Sequence, residues 1–431
     1  MLEALIPSCP IPYFGVSMLP IVGYPSFVEE FLPRLDGILT RPQLKHFARY
    51  LTGLVVCGNK TVTGINRSFM GRNDPSALNH WLTDSGWSEE ELERARKALI
   101  LESLKDRRMK KGVLVVDDTI SHKTGRHMEG VGIHYDHAEG RCVLGHQLVT
   151  SDLVIGSLSL PLDFELYARD RGQEGFKTKQ ELFRSLVKRA SEDGIPFTCV
   201  VTDAWYFNKK NMECVEGLGR DWVAGCKGNR LILMPGGWMP ISAYIQNVPK
   251  NPFKEVTIRT GNCERRFWAY AKNVTMKDGW RVRIVASYEN RIEGEPKFIA
   301  TNRLDWDAKT ILETYLKRWR VDSSYRDAKQ ELGLEDYELR KLRGIRRHWL
   351  MVFLAHDLLQ LSSLKGGSIG RMKAGLATVG SRCRYAAMEV LRSFIKLVAE
   401  LARKVGSPDE ILKLTMSDLK GLKTLYQMEI T

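Results

Sequence analysis

Tyr315-Leu-Lys-Arg318-Trp319-Arg-Val-Asp322-Ser-Ser-Tyr-Arg326-Asp-Ala-Lys329 is the stretch on which the reading of this chain turns. Taken as one continuous helix at 100° per residue, Tyr315 falls about 20° from Asp322, Arg318 and Arg326 about 40°, and Lys329 about 20°. The other acids nearby, Asp327 and Glu331, fall about 140° and 180° away on the same wheel. A single carboxylate thus shares a face with three cations and a tyrosine, which suits a metal ligand beside a phosphate clamp. The plainer reading is a surface helix with ordinary ion pairs.

The 431-residue chain carries 65 Lys and Arg against 51 Asp and Glu, a net charge of +14. That balance favours a polyanionic partner, nucleic acid first and an anionic membrane surface second. No apolar run reaches the length of a membrane span and no basic segment precedes a long apolar one at the start, so no membrane partner and a cytoplasmic location are expected. The eight cysteines are scattered without a Cys-x-x-Cys pair and read as reduced core thiols.

Residues 1 to about 25 are rich in Pro and Gly and read as an irregular arm. From Phe27 to about Lys105 the pattern is helical, with starts at Arg41-Pro42, at Asp74-Pro75 and at the Ser88/Glu91 capping box. Within it, Asn59 to Arg67 reads as part of a helix-turn-helix-like DNA reader or of a plain helical bundle. The period then changes. Gly112-Val-Leu-Val-Val-Asp117-Asp118 is a buried strand ending in two acids, and Phe197-Thr-Cys-Val-Val-Thr-Asp203 is a second ending in one. With the intervening strands and helices the order is β-β-β-α-β-α-β, an α/β sheet whose site lies at the strand ends. Between about Gly228 and Pro296 helical signal gives way to short alternating strands, an inserted β subdomain. From Glu335 onward the chain is mainly helical, with a Gly-rich break at 364–370. The stretch from Tyr385 to Lys404 is expected to bury Val390, Leu391, Phe394, Leu397, Val398 and Leu401.

Asp118, Asp203 and Asp322 could together hold two Mg²⁺, since magnesium takes a few hard oxygen ligands and paired ions act on both the attacking and the leaving oxygen of a phosphodiester. Each aspartate alone reads more simply as a cap or turn acid; their joint placement on this plan, with Arg318 and Lys329 flanking the third, argues for phosphate chemistry. Neighbouring residues on a strand point to opposite sides, so only one of Asp117 and Asp118 is expected to bind metal directly. Lys227 and Arg230, near strand ends, could track a DNA backbone.

These blocks resemble a known family. Tyr315-x2-Arg318-x3-Asp322-x6-Lys329, with Trp319 after the arginine, resembles the Tyr-Arg-Glu-Lys signature of insertion-sequence DDE transposases, the group typified by insertion sequence four. Val115-Val-Asp117-Asp118-Thr119 is similar to the first catalytic block of that family, and Val200-Val-Thr-Asp203 to the second. The resemblance implies a ribonuclease-H-like core over 109–335 with a β subdomain inserted at 228–296. It implies a helical end-binding domain over 1–108 and a helical region over 336–431 that could serve dimerisation. The implied activity is hydrolysis at transposon ends followed by attack of the freed 3′-hydroxyl on target DNA. Asp118, Asp203 and Asp322 would hold two Mg²⁺, with Mn²⁺ able to substitute. Tyr315, Arg318, Lys329, Arg326, Trp319, Lys227 and Arg230 would contact DNA, and Trp238, Trp268 and Trp280 could stack on an extruded base. The partners implied are double-stranded DNA, both transposon end and target, and a second copy of the chain; the location implied is the nucleoid.

One departure stands out: the third acid of the family is glutamate, and here it is Asp322, one methylene shorter. That leaves open an active Asp-Asp-Asp enzyme and a decayed or domesticated DNA-binding copy; a structure-selective nuclease on the same fold, without strand transfer, is the separate enzymatic alternative.

Overall fold

The computed structural model describes residues 20–405 and 407, except 72–73, 110, 138, 169–175, 261–262, 278, 363, 365–375 and 377. Most of the N-terminal arm and most of the Gly-rich break after Leu364 lie outside the described residues. The chain divides into two compact units, Met1–Arg96 with Asp327–Thr431, and Lys97–Arg326.

The helix starts follow the capping chemistry of the sequence. After the short α1 (Ser26–Phe31), α2 (Arg41–Val56) opens on a capping box in which Thr40 and Gln43 satisfy each other's backbone donors. Thr61 caps α3 (Val62–Ser68), and Asp74 caps α4 (Pro75–Thr83). The Ser88 hydroxyl accepts the Glu91 N–H at 3.1 Å at the start of α5 (Glu89–Lys105). Gly53 of α2 lets α3 approach, for a Cβ there would meet Ile65 Cγ2 at 2.4 Å.

In the second unit, the run Val113-Leu-Val-Val116 is buried on both faces of its strand, as in a covered sheet. This is β1 (Gly112–His122), followed by β2 (Gly132–Asp136), β3 (Arg141–Ile155) and β4 (Leu158–Tyr167). Helix α6 (Lys179–Glu192) leads to β5 (Phe197–Thr202), and α7 (Lys209–Gly217) to β6 (Asp221–Cys226). The order is therefore β-β-β-β-α-β-α-β, the expected β-β-β-α-β-α-β with one further strand, β4, ahead of α6. β1 pairs antiparallel with β3 and parallel with β5, which in turn pairs parallel with β6.

The stretch after β6 holds more than alternating strands. It forms β7 (Leu231–Met234), β8 (Gly237–Pro240), a short α8 (Ile241–Gln246), β9 (Lys254–Thr260), β10 (Cys263–Thr275) and β11 (Arg281–Glu289). Only β7 and β8 form a separate sheet; β9 to β11 join the main one through β12 (Lys297–Thr301), which pairs antiparallel with β6. The result is one ten-stranded sheet, ordered β2-β3-β1-β5-β6-β12-β11-β10-β9 with β4 on β3. Helices α9 (Ala308–Leu316) and α10 (Trp319–Gln330) cover one face, packing Ile311, Leu312 and Val321 on Val113, Val115, Val201 and Val223.

The first unit is completed by α11 (Leu342–Ser362) and α12 (Val379–Val405). Two buried arginines of its interior are held by partners. The Arg347 guanidinium donates to the carbonyls of Trp81, Leu82 and Trp87 at 3.2, 3.1 and 2.6 Å, and Arg96 pairs with Asp357 at 2.6 Å. On α12, Val390 and Leu401 are buried as expected, whereas Leu391, Phe394, Leu397 and Val398 are half-exposed. Helical periodicity marks the apolar stripe but not how much of it finds a covering surface.

Gly53→Val should cost about 1–3 kcal/mol by overpacking against Ile65, read as a lower urea midpoint at unchanged slope. Asp357→Leu alone should cost about 3–5 kcal/mol by stranding a buried guanidinium, and Arg96→Met with Asp357→Leu should recover most of that loss.

Candidate active site

β1 and β5 run parallel with Val116 opposite Thr202, so Asp117 and Asp203 come level just beyond at the same end of the sheet. The Thr202 hydroxyl donates to the Val116 carbonyl at 3.0 Å and locks that register. Asp117 shares the strand face of Val113 and Val115, which lies under α9 and α10. Asp118 faces the other way. Its Oδ2 accepts from Gln147 Nε2 at 2.5 Å and from Lys179 Nζ of α6 at 2.8 Å, and its Oδ1 from the Tyr206 hydroxyl at 3.2 Å. Asp203 Oδ1 accepts the backbone N–H groups of Trp205 at 2.9 Å and Tyr206 at 3.3 Å, a tight turn that sends Tyr206 into the interior and leaves Trp205 exposed.

The stretch from Tyr315 to Lys329 is not the single helix its spacing predicts. Helix α9 ends at Leu316 and α10 begins at Trp319. Between them the backbone tightens to three-residue bonds: Lys317 N–H to Thr314 O, Arg318 to Tyr315, Arg320 to Lys317 and Val321 to Arg318. The turn aims Arg318 at the strand, where its Nη1 lies 2.7 Å from Asp117 Oδ2 and 3.6 Å from Asp322 Oδ1. Tyr315 reaches the same end of the sheet because β6 carries Gly225, where a Cβ would meet the Tyr315 hydroxyl at 2.8 Å and the Ala204 N–H at 2.9 Å.

The structure thus brings Asp117, Asp118, Asp203, Tyr315, Arg318 and Asp322 together around one end of β1 and β5. Asp322 is half-exposed in the first turn of α10. Trp319 is held under the Arg265 guanidinium at 3.9 Å, with Lys297 at 5.9 Å. Lys227 and Arg230 follow β6 and lie beside the Asp203 turn: Lys227 is 5.8 Å from the Trp205 ring, and Arg230 Nη2 donates to the Phe207 carbonyl at 2.7 Å. Arg326 is exposed, and Lys329 pairs with Glu335 at 2.9 Å. Of the three tryptophans expected as stacking residues, Trp280 packs on Phe207 and Trp222, Trp268 is half-buried, and Trp238 is exposed.

Lys179, Gln147, Tyr206 and Arg265 escaped the sequence reading. Lys179 had a local sign, standing directly after the Thr178 cap of α6, but nothing local links Gln147 of β3 to Asp118. That link exists only through the antiparallel register, which sets Asp118 opposite Val149.

Charge in the site is unbalanced. Burial pushes the Asp117 carboxyl up to about 7; Asp203 and Asp118 add to the rise, and Arg318 opposes it. Asp203 is also raised, by burial first and by Asp118, against the hydrogen bonds from Trp205 and Tyr206. Among the described residues, the one group of three metal-ligating side chains with ligand atoms within 4.8 Å of one another is elsewhere: His122, Asp136 and Glu139. Asp118, Asp203 and Asp322 do not close to that distance. In the other group, His122 Nε2 already meets Asp136 at 2.8 Å, and Arg141 sits on Glu139 at 2.6 Å.

Residues 31–239 match the family model described as DDE superfamily endonuclease, a span that carries Asp118 and Asp203 and stops before Asp322. The chain is 25% identical over 330 residues to the probable transposase for insertion sequence element IS701 of Microchaete diplosiphon, covering 73% of this chain and 82% of the relative. A looser likeness, with 9% identity and a TM-score of 0.49, is to a cryo-EM structure of the piggyBac transposase synaptic complex with hairpin DNA; it covers 94% of this chain and 82% of that one. By sequence the chain is similar to DDE-superfamily endonucleases, and its fold gathers acids at the ends of β1 and β5. Within that likeness, the relative matched over 330 residues is a probable insertion-sequence transposase.

Tyr206→Phe removes the hydroxyl that donates to Asp118 and should cost about 1.5–3 kcal/mol, as for a hydrogen bond to a charged group, read by thermal unfolding with the fold intact by circular dichroism.

Proposed function

We propose that the chain cuts DNA at transposon ends by metal-assisted phosphodiester hydrolysis and joins the freed 3′-hydroxyl to target DNA. The observation that carries this reading is the convergence of Asp117, Asp118 and Asp203 at adjacent strand ends with Arg318 and Asp322 arriving from the turn into α10. The sheet order β4-β3-β1-β5-β6, with β5 and β6 parallel to β1, supports a ribonuclease-H-like core. On this reading the core spans 109–335 with its insertion at 228–296, residues 1–108 bind the transposon end, and residues 336–431 serve a dimer that holds two ends.

The donor set fits divalent magnesium or manganese. All the groups are hard carboxylate oxygens, and Asp117 and Asp203 titrate high because burial and their acidic neighbours penalise ionisation, a penalty that a bound cation relieves. Asp118, Asp203 and Asp322 are the proposed ligands. When bound, two such ions polarise the phosphodiester and supply an activated oxygen. The chain's own residues do the rest. Lys179 and Tyr206 orient Asp118, the Trp205 and Tyr206 N–H groups hold Asp203 in place, and Arg318 holds Asp117. Arg318, Tyr315, Lys227 and Arg230 bear on the phosphates. Arg326, Lys329 and Trp319 contact DNA further along the same helix.

The half-exposed Asp322, one methylene short of the family's glutamate, favours a second reading: a copy that binds ends without cutting them. Cleavage of the element's terminal DNA in Mg²⁺ and in Mn²⁺, with binding measured in parallel, separates the two. Asp118→Asn, Asp203→Asn and Asp322→Asn should each bind DNA and lose cleavage by at least about a hundredfold, the scale of several kcal/mol of charge stabilisation. Restoration of cleavage by Asp322→Glu in a wild type that cannot cut would establish the binder. Asp117→Asn in the same series checks the choice of Asp118: a loss confined to Asp117→Asn would move the ligand to Asp117.

A further inference from the structure

We propose that Trp205 is a stacking platform for an unpaired nucleobase, with Lys179 and Lys227 binding the phosphates on either side of that base. This rests on the transposase reading and adds a contact to it.

Trp205 is the aromatic side chain that the Asp203 turn pushes out of the fold. Trp205 is 52% exposed, while its neighbour Tyr206 is fully buried. The exposure is built rather than loose. Asp203 Oδ1 accepts the Trp205 N–H at 2.9 Å, and Gln180 Nε2 donates to the Trp205 carbonyl at 3.1 Å, so both main-chain groups of the residue are held. The ammonium groups of Lys179 and Lys227 each lie 5.8 Å from the ring centroid.

The ring borders a cleft of about 570 Å³ whose lining includes Lys209, Lys227, Arg230 and Lys277 and, among the described residues, no acid. That volume is of the order of a small-ligand site. A flat apolar face edged by cations, beside a cleft lined by Lys209, Lys227, Arg230 and Lys277, selects a ligand with a π face and negative charge close beside it. A nucleotide of a DNA strand has both. Stacking of this kind accepts any base, because every base presents a π face.

The platform is joined to the acids by covalent and ionic links. Trp205 is two residues from Asp203, and Lys179, beside its ring, also bonds Asp118 Oδ2 at 2.8 Å. A base seated on Trp205 therefore places its adjoining phosphate next to Asp118 and Asp203, and an unpaired nucleotide at the cut site would be gripped there. A duplex offers no free base face to the ring except at its ends.

The test uses full-length protein in EDTA with two probes: a short single-stranded oligonucleotide carrying one 2-aminopurine, and the same strand annealed to its complement. Wild type should bind the single strand and quench the 2-aminopurine. Trp205→Ala should weaken single-strand binding about 5- to 100-fold, the range of one base–aromatic stack, and abolish the quench. Trp205→Phe should restore most of both, with duplex binding and thermal unfolding close to wild type in every variant. Wild-type affinity and quenching in Trp205→Ala, no single-strand binding by wild type, or an equal loss on single strand and duplex would each overturn the platform. Cleavage of terminal DNA in Mg²⁺ is scored separately. A protein that quenches through Trp205 but never cuts keeps the platform and loses the strand-transfer reading.

Discussion

Gathering carboxylates at one end of a sheet is unfavourable by itself, and the ion pair between Arg318 and Asp117 is the interaction that lets this site exist. Asp117 is buried beside Asp203 and Asp118, so a charge there repels two others in a setting with little water. Arg318 answers from a different part of the chain. To do so its backbone leaves the helix for one turn, and that departure fixes where α10 starts and which side of it faces the strands. The position of Asp322 follows from the pair, not the reverse.

A second layer of support lies on the opposite strand face. Lys179, at the start of α6, is to Asp118 what Arg318, in the turn between α9 and α10, is to Asp117: a cation paired with the acid. The two aspartates point to opposite sides, so each is anchored to its own helix layer, and the strand end is clamped from both faces. Tyr206, Gln147 and the Trp205 N–H complete the satisfaction of buried oxygens. Such a site is preorganised, since the acids are held by partners that pack elsewhere in the fold.

Much of this was legible in the sequence because it is local. Strand runs ending in Asp118 and Asp203, the helix starts at Asp74 and Ser88, and the order of strands and helices apart from β4 all rest on short-range pattern. The break at Lys317–Arg318 was not, since Tyr315 to Val321 holds neither Gly nor Pro. Its cause is tertiary, the reach of Arg318 to Asp117 and the seating of Trp319 under Arg265. Strand pairing was equally hidden. Alternation marks β9, β10 and β11 as strands but does not say that β12 will carry them into the central sheet. In α12 the apolar stripe was visible and the extent of its cover was not.

The joining of β9, β10 and β11 to the core sheet has a further consequence. Among the described residues it leaves β9 as the last strand of the sheet, a position on which unrelated chains can stack during aggregation. Its sequence, Lys254-Glu-Val-Thr-Ile-Arg-Thr260, sends Val256 and Ile258 inward and keeps Lys254, Glu255 and Arg259 exposed. Three charges on so short a strand oppose the addition of another strand. The sheet can thus grow to ten strands without its last member becoming a template, and the basic character of the chain serves solubility there as well as affinity for a polyanion.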